Sequence, residues 1–141
     1  MAKKLVVVLD TNVFVSGLLS PHGVPGLILQ RFRTGEFGIA TSKDQIREIQ
    51  DVLRRPSLIR ALPKGTNREV LIFFLKFKRL AHICKPQRLT WDFGDRDDHF
   101  LLDLAVNSKA QFLVTGDKAL LKLTLVGQCA VISPVEFIGR L

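Results

Sequence analysis

Short apolar runs alternate along this chain with stretches whose apolar residues return at helical spacing. Lys4 to Leu9 is an unbroken run rich in valine, which predicts a strand buried on both faces. It closes on Asp10-Thr11-Asn12, where a short helix begins, and Ser20-Pro21-His22-Gly23 reads as a turn. A second helix is expected from Val24 to Arg33, ended by Gly35, and a short strand at Phe37-Gly38-Ile39-Ala40. Thr41-Ser42 then caps a helix running to Arg55 and stopping at Pro56. Asn67 to Ala81 reads as another helix, with its apolar face at Val70, Leu71, Phe74, Phe77 and Leu80 or Ala81. Ile83-Cys84 is a brief strand, Asp97 to Lys109 a helix, and Gln111 to Val114 a strand ending at Thr115-Gly116-Asp117. Ala130-Val131-Ile132 is the last strand, and Ser133-Pro134 opens a C-terminal helical turn. Strands alternating with helices predict one α/β domain around a mostly parallel sheet, and 141 residues suit one such core.

Acidic residues punctuate this pattern at telling places. A carboxylate at the C-terminal end of a buried parallel strand sits where open α/β sheets hold their ligands, and Asp10 has that position. A helix cap is its plainer alternative. Glu48 falls just outside the apolar arc Gln45, Ile49, Val52 and Leu53 of its helix, so it borders the core or is simply solvated. Asp95, Asp97 and Asp98 crowd the start of the helix bearing Leu101, Leu102 and Ala105. A helix N-terminus accounts for one or two acids there, and a divalent cation would relieve the repulsion among three. Asp98 has those apolar residues at +3, +4 and +7 and is the preferred ligand of the group. Asp117 follows a strand through Thr115-Gly116, as a ligand or as a turn residue. Converging carboxylates suggest a divalent-metal site acting on a phosphate backbone.

Charge sharpens this picture. The net charge is +8, and residues 31–88 carry fourteen Lys or Arg against five Asp or Glu. That surplus fits a polyanion partner, because such side chains neutralise phosphates whatever the base sequence. No apolar run is long enough to span a bilayer, and no basic amphipathic helix suggests a membrane surface. The N-terminus lacks a signal-peptide cleavage site. Cys84 and Cys129 are isolated and read as buried thiols in a reducing cytoplasm. His22, His82 and His99 are scattered, and none is needed as a base.

Strand–Asp-Thr-Asn at the start, Glu-x-x-x-Val-Leu in a mid-chain helix, Asp-x-Asp-Asp before a helix and strand–Thr-Gly-Asp near the end together resemble the PIN domain. More narrowly, the chain is similar to PIN-domain toxins of toxin–antitoxin systems, the VapC-like ribonucleases. Val52-Leu53-Arg54-Arg55-Pro56 and Phe112 to Lys118 match that subgroup, although Arg96 stands where many relatives carry proline. The resemblance runs from Val6 to Phe137 and implies a PIN-like α/β/α fold. It places the catalytic and metal-binding quartet on Asp10, Glu48, Asp98 and Asp117, with Asn12, Thr115 and Asp95 in support. It implies Mg²⁺ or Mn²⁺, RNA as substrate, an antitoxin from an adjacent gene and a homodimer. Arg47, Arg54, Arg55, Lys64 and Arg68 would grip the RNA backbone, and Phe73, Phe74 and Phe77 offer apolar surface for a partner. Two other classes compete. A haloacid-dehalogenase-type phosphatase needs a second Asp where Asn12 stands, and a longer chain. A non-catalytic RNA-binding or scaffolding PIN domain would keep the basic surface and lose acids, and here all four are present.

Overall fold

Strand β1 (Val6–Leu9) lies in the middle of the sheet, as its apolar run requires: Val7, Val8 and Leu9 are all buried. The computed structural model describes residues 4–92 and 96–141, with the side chains of residues 96–98 also outside the description. The further strands are β2 (Gly38–Ser42), β3 (His82–Cys84), β4 (Phe112–Val114), β5 (Leu125–Val126) and β6 (Cys129–Ile132). Their order across the sheet is β3-β2-β1-β4-β6-β5, and every pairing is parallel except β5 with β6.

Successive strand residues point to opposite faces and so feed two cores. Val7, Leu9, Ile39, Val114 and Ile132 belong to one, and Val8, Ala40, Leu113 and Val131 to the other. Helices α1 (Thr11–Leu19), α2 (Val24–Arg33), α3 (Lys43–Leu53), α5 (Asn67–Leu80) and α8 (Pro134–Gly139) cover the first face through Phe14, Ile28, Ile49, Phe77 and Phe137. Helices α6 (Arg96–Asn107) and α7 (Lys118–Leu121) cover the second through Leu101, Leu102, Leu104 and Leu120. The result is a PIN-like α/β/α arrangement. Aromatic pairs tie the larger core together: Phe14 and Phe77 lie 4.8 Å apart, and Phe37 and Phe137 5.1 Å. Each such buried ring contributes about 1.5–3 kcal/mol. No single helix among the described residues is long and apolar enough to cross a membrane.

Several expectations need correction. Helix α3 stops at Leu53, before Pro56 as expected, but Pro56 then opens a further helix, α4 (Pro56–Ala61), where a first-turn residue needs no free N–H. Helix α7 and the antiparallel strand β5 are too short to have left a periodic signal. On α5 the core stripe runs through Val70, Phe74, Phe77 and, at the helix end, Ala81, with Phe73 half-buried, so these phenylalanines pack into the core and are not the partner surface expected from sequence. Leu71, placed on that stripe from sequence, is 58% exposed and joins Ile72 and Leu75 on the open side of the helix. A helix turns ~100° per residue, so a neighbour of a core position is carried off the buried face.

Candidate active site at the C-terminal edge of the sheet

The chain leaves β1 toward β2 and β3 on one side and later returns to β4 on the other. Parallel sheets bind ligands in the crevice where the strand order reverses, beyond the strands' C-terminal ends. Asp10 stands at that point. Its backbone N–H donates to the Val114 carbonyl oxygen at 2.9 Å, which locks it to the end of β4. Asp10 also N-caps α1: its Oδ1 accepts the Asn12 N–H at 3.2 Å. Its Oδ2 accepts the Thr115 hydroxyl at 2.8 Å. The Thr115 Oγ1 in turn accepts the Asp117 N–H at 3.0 Å, and Asp117 Oδ1 caps α7 through the Ala119 N–H at 2.8 Å. One hydrogen-bonded chain therefore joins Asn12, Asp10, Thr115 and Asp117. Capping does not use up either acid, because a carboxylate has about four lone-pair sites.

Helix α3, which carries Glu48, is tied to the same edge through Gln45. Ser42 caps the helix by accepting the Gln45 N–H at 3.2 Å. Gln45 is buried; its Nε2 donates to the Leu9 carbonyl at 2.6 Å, and its Oε1 accepts the Thr41 hydroxyl at 2.6 Å. Gln45 thus pins α3 to the last peptide of β1, one residue before Asp10. Glu48 lies one turn further along α3 and is exposed. A Gln45→Leu variant should lose about 1–3 kcal/mol in urea unfolding, since the Leu9 carbonyl is left buried without its donor. Unchanged stability would mean that this bond contributes nothing.

The other sequence-predicted residues are placed as follows. Asp98 is in the first turn of α6, with its side chain outside the described residues, and Asp95 lies outside them altogether. Arg47, Arg54, Arg55, Lys64 and Arg68 are all exposed, on or between α3, α4 and α5. Both cysteines are free thiols; burial pushes Cys129 up to about 12, and raises Cys84 as well. Two buried polar residues escaped the sequence reading as candidates. Gln45 was visible as a polar residue inside the apolar arc of α3. Asp103 sits among Leu101, Leu102, Leu104 and Ala105 and is 7% exposed. Its Oδ1 accepts the Leu89 N–H at 3.1 Å and the Trp91 indole N–H at 2.7 Å. Thr11, part of the Asp-Thr-Asn motif singled out in the sequence, has a buried hydroxyl with no partner among the described residues.

A family model for the PIN domain matches residues 6–119. The chain belongs to the PIN domain family. PIN domains are generally nucleases, and they generally use divalent metals. An uncharacterized protein of Methanocaldococcus jannaschii is 34% identical over 120 residues, covering 85% of this chain and 76% of its own length.

The residues at this edge suit such an ion. Asp10 is 8% exposed, and among the described residues no Lys or Arg pairs with it. A carboxylate so enclosed is stabilised by a cation. The side-chain group joined to it is the Thr115 hydroxyl, and Asp117 is linked to that hydroxyl through its backbone N–H; the carboxylates of Asp10 and Asp117 are hard oxygen donors of the kind that suit Mg²⁺ or Mn²⁺. Among the described residues, no three His, Cys, Asp or Glu side chains gather closely enough to form a complete site. Of the four acids expected from the resemblance, the structure describes the side chains of Asp10, Glu48 and Asp117. Mg²⁺ in particular keeps several waters and uses one or two carboxylates.

Proposed function

We propose that this PIN domain is a metal-dependent endoribonuclease, and that it serves as the toxin of a toxin–antitoxin pair. The hydrogen-bonded chain Asp10–Thr115–Asp117, on a protein of net charge +8, is the observation that carries this reading. Asp10 and Asp98 would hold the ion, with Glu48 and Asp117 completing its surroundings or orienting the attacking water. Bound there, Mg²⁺ or Mn²⁺ supplies an acidified water and neutralises charge developing on the phosphoryl oxygens.

The protein's own residues do the rest. Thr115 holds one Asp10 oxygen, so the carboxylate presents a fixed face to the crevice. The Asn12 backbone N–H holds the other. Gln45 keeps α3, and with it Glu48, in register with the end of β1. Arg47, Arg54, Arg55, Lys64 and Arg68 lie free to neutralise backbone phosphates. Leu71, Ile72 and Leu75 on α5 are 58, 48 and 52% exposed, an apolar patch that favours a homodimer or the antitoxin there.

Purified protein incubated with a pool of labelled RNAs and Mn²⁺ or Mg²⁺ tests the central claim, beside an Asp98→Asn variant and an EDTA control. Cutting by the wild type alone, lost in both controls, is the expected result. RNA that is bound but never cut would instead favour a non-catalytic RNA-binding PIN domain.

A further inference from the structure

A pocket of about 730 Å³ opens beside the acidic edge, between the ends of β2 and β3 and the start of α6. It is lined by apolar Ile83, Leu89 and Phe100, the first two of them exposed, and by the exposed cations Lys43, Lys85 and Arg88, with Asp44 and Asp103 as the carboxylates among them. None of the five cations expected from sequence lines it. Strand register fixes its place relative to the site. Ser42 pairs with Cys84, and continuing the β1–β2 register sets Asp10 beside Ser42. Two strand spacings, on the order of 10 Å, therefore separate Asp10 from the pocket's Cys84.

The far wall is built, although it has no regular secondary structure. Asp103 holds it at Leu89 and Trp91, and the Asn107 amide donates to the Gln87 carbonyl oxygen at 3.0 Å. Lys85, Arg88 and Leu89 thus belong to a segment tied down onto α6 rather than to a free loop.

We propose that this pocket takes the base of a nucleotide next to the scissile one in single-stranded RNA, with Lys85 and Arg88 on its phosphates. The proposal rests on the ribonuclease reading and adds a subsite to it. A base is flat and apolar on its faces with a polar edge, and suits a cleft walled by Phe100, Leu89 and Ile83. The volume lies within the range of small-molecule pockets. Three cations at the mouth fit the phosphates that flank the base. A duplex would keep its bases stacked inside and could not fill the pocket, so single strands are favoured.

Fluorescence anisotropy in EDTA, with labelled single-stranded RNA of mixed sequence, reads binding without cleavage. Lys85→Ala/Arg88→Ala should weaken binding by about 10-fold and lower the salt slope by about 1.4, the value for two single-strand phosphate contacts. Lys4→Ala/Arg33→Ala, at the opposite edge of the sheet, serves as a charge-matched comparison and should bind within about 2-fold of wild type. Saturating RNA should also slow alkylation of Cys84, the thiol that lines the pocket, while Cys129 is buried. Equal affinity of the Lys85/Arg88 variant and wild type would overturn the subsite, as would a wild type that binds no RNA. The two readings fail separately. Cutting with unaltered binding in the variant removes only the pocket, whereas pocket-dependent binding by a protein that cuts nothing removes only the nuclease.

Discussion

Asp10→Asn should abolish metal-dependent RNA cleavage, by about 100-fold or more, while leaving the fold intact. Loss of an outer-shell partner alone typically costs 10–100-fold in metal affinity or activity, and Asp10 is proposed as a direct ligand. Asparagine keeps the shape and caps helices about as well as aspartate, so α1 keeps its N-terminal bond to the Asn12 N–H. Its amide faces the Thr115 hydroxyl, which can rotate to accept. The change also removes a buried charge that no Lys or Arg pairs with among the described residues. Thermal unfolding should therefore show equal or greater stability, and titration with Mn²⁺ should show weakened binding. A variant that cuts RNA within a few-fold of wild type would remove Asp10 from the chemistry.

Thr115→Val is expected to act on both stability and activity. The substitution keeps volume but removes the donor to Asp10 Oδ2 and the acceptor of the Asp117 N–H. Leaving a buried carboxylate oxygen without its donor costs about 1–3 kcal/mol, measurable by urea unfolding. Cleavage should fall about 10–100-fold, since the hydroxyl orients a ligand rather than touching substrate. Thr115→Ser distinguishes positioning from packing: it restores the hydroxyl without the methyl, and should recover most of the cleavage. If valine and serine variants cut equally well, the hydroxyl has no part in arranging the acids.

Much of this architecture was legible in the sequence because strand and helix periods differ so plainly. The run Val6-Val7-Val8-Leu9 could only be a central strand, and the turn residues before and after α2 bounded it well. Asp10, Thr115 and Asp117 were legible as a set because each sits at a strand's C-terminal end, where chain direction alone determines exposure to the crevice. The missed features depend on contacts between distant segments. Gln45 reads locally as a polar interruption of an apolar arc; only the fold brings the Leu9 carbonyl, 36 residues away, to its amide. Asp103 likewise has partners 12 and 14 residues earlier, in a stretch without periodicity. The apolar face of α5 was drawn too wide, because Leu71 is as apolar as Val70 and only packing leaves it outside the core.

The bond from Thr115 to Asp10 spans 105 residues, and β1 takes β4 as its neighbour only after most of the chain exists. During synthesis, β1 can pair with β2 long before β4 leaves the ribosome, and until then one edge of β1 stays bare and Asp10 lacks both of its β4 neighbours, Val114 and Thr115. Domains form in the order in which their parts emerge, and non-local pairings close last. An unfinished chain therefore carries the first acid without the groups that orient it, and the set is assembled only once β4 and the residues just after it have emerged.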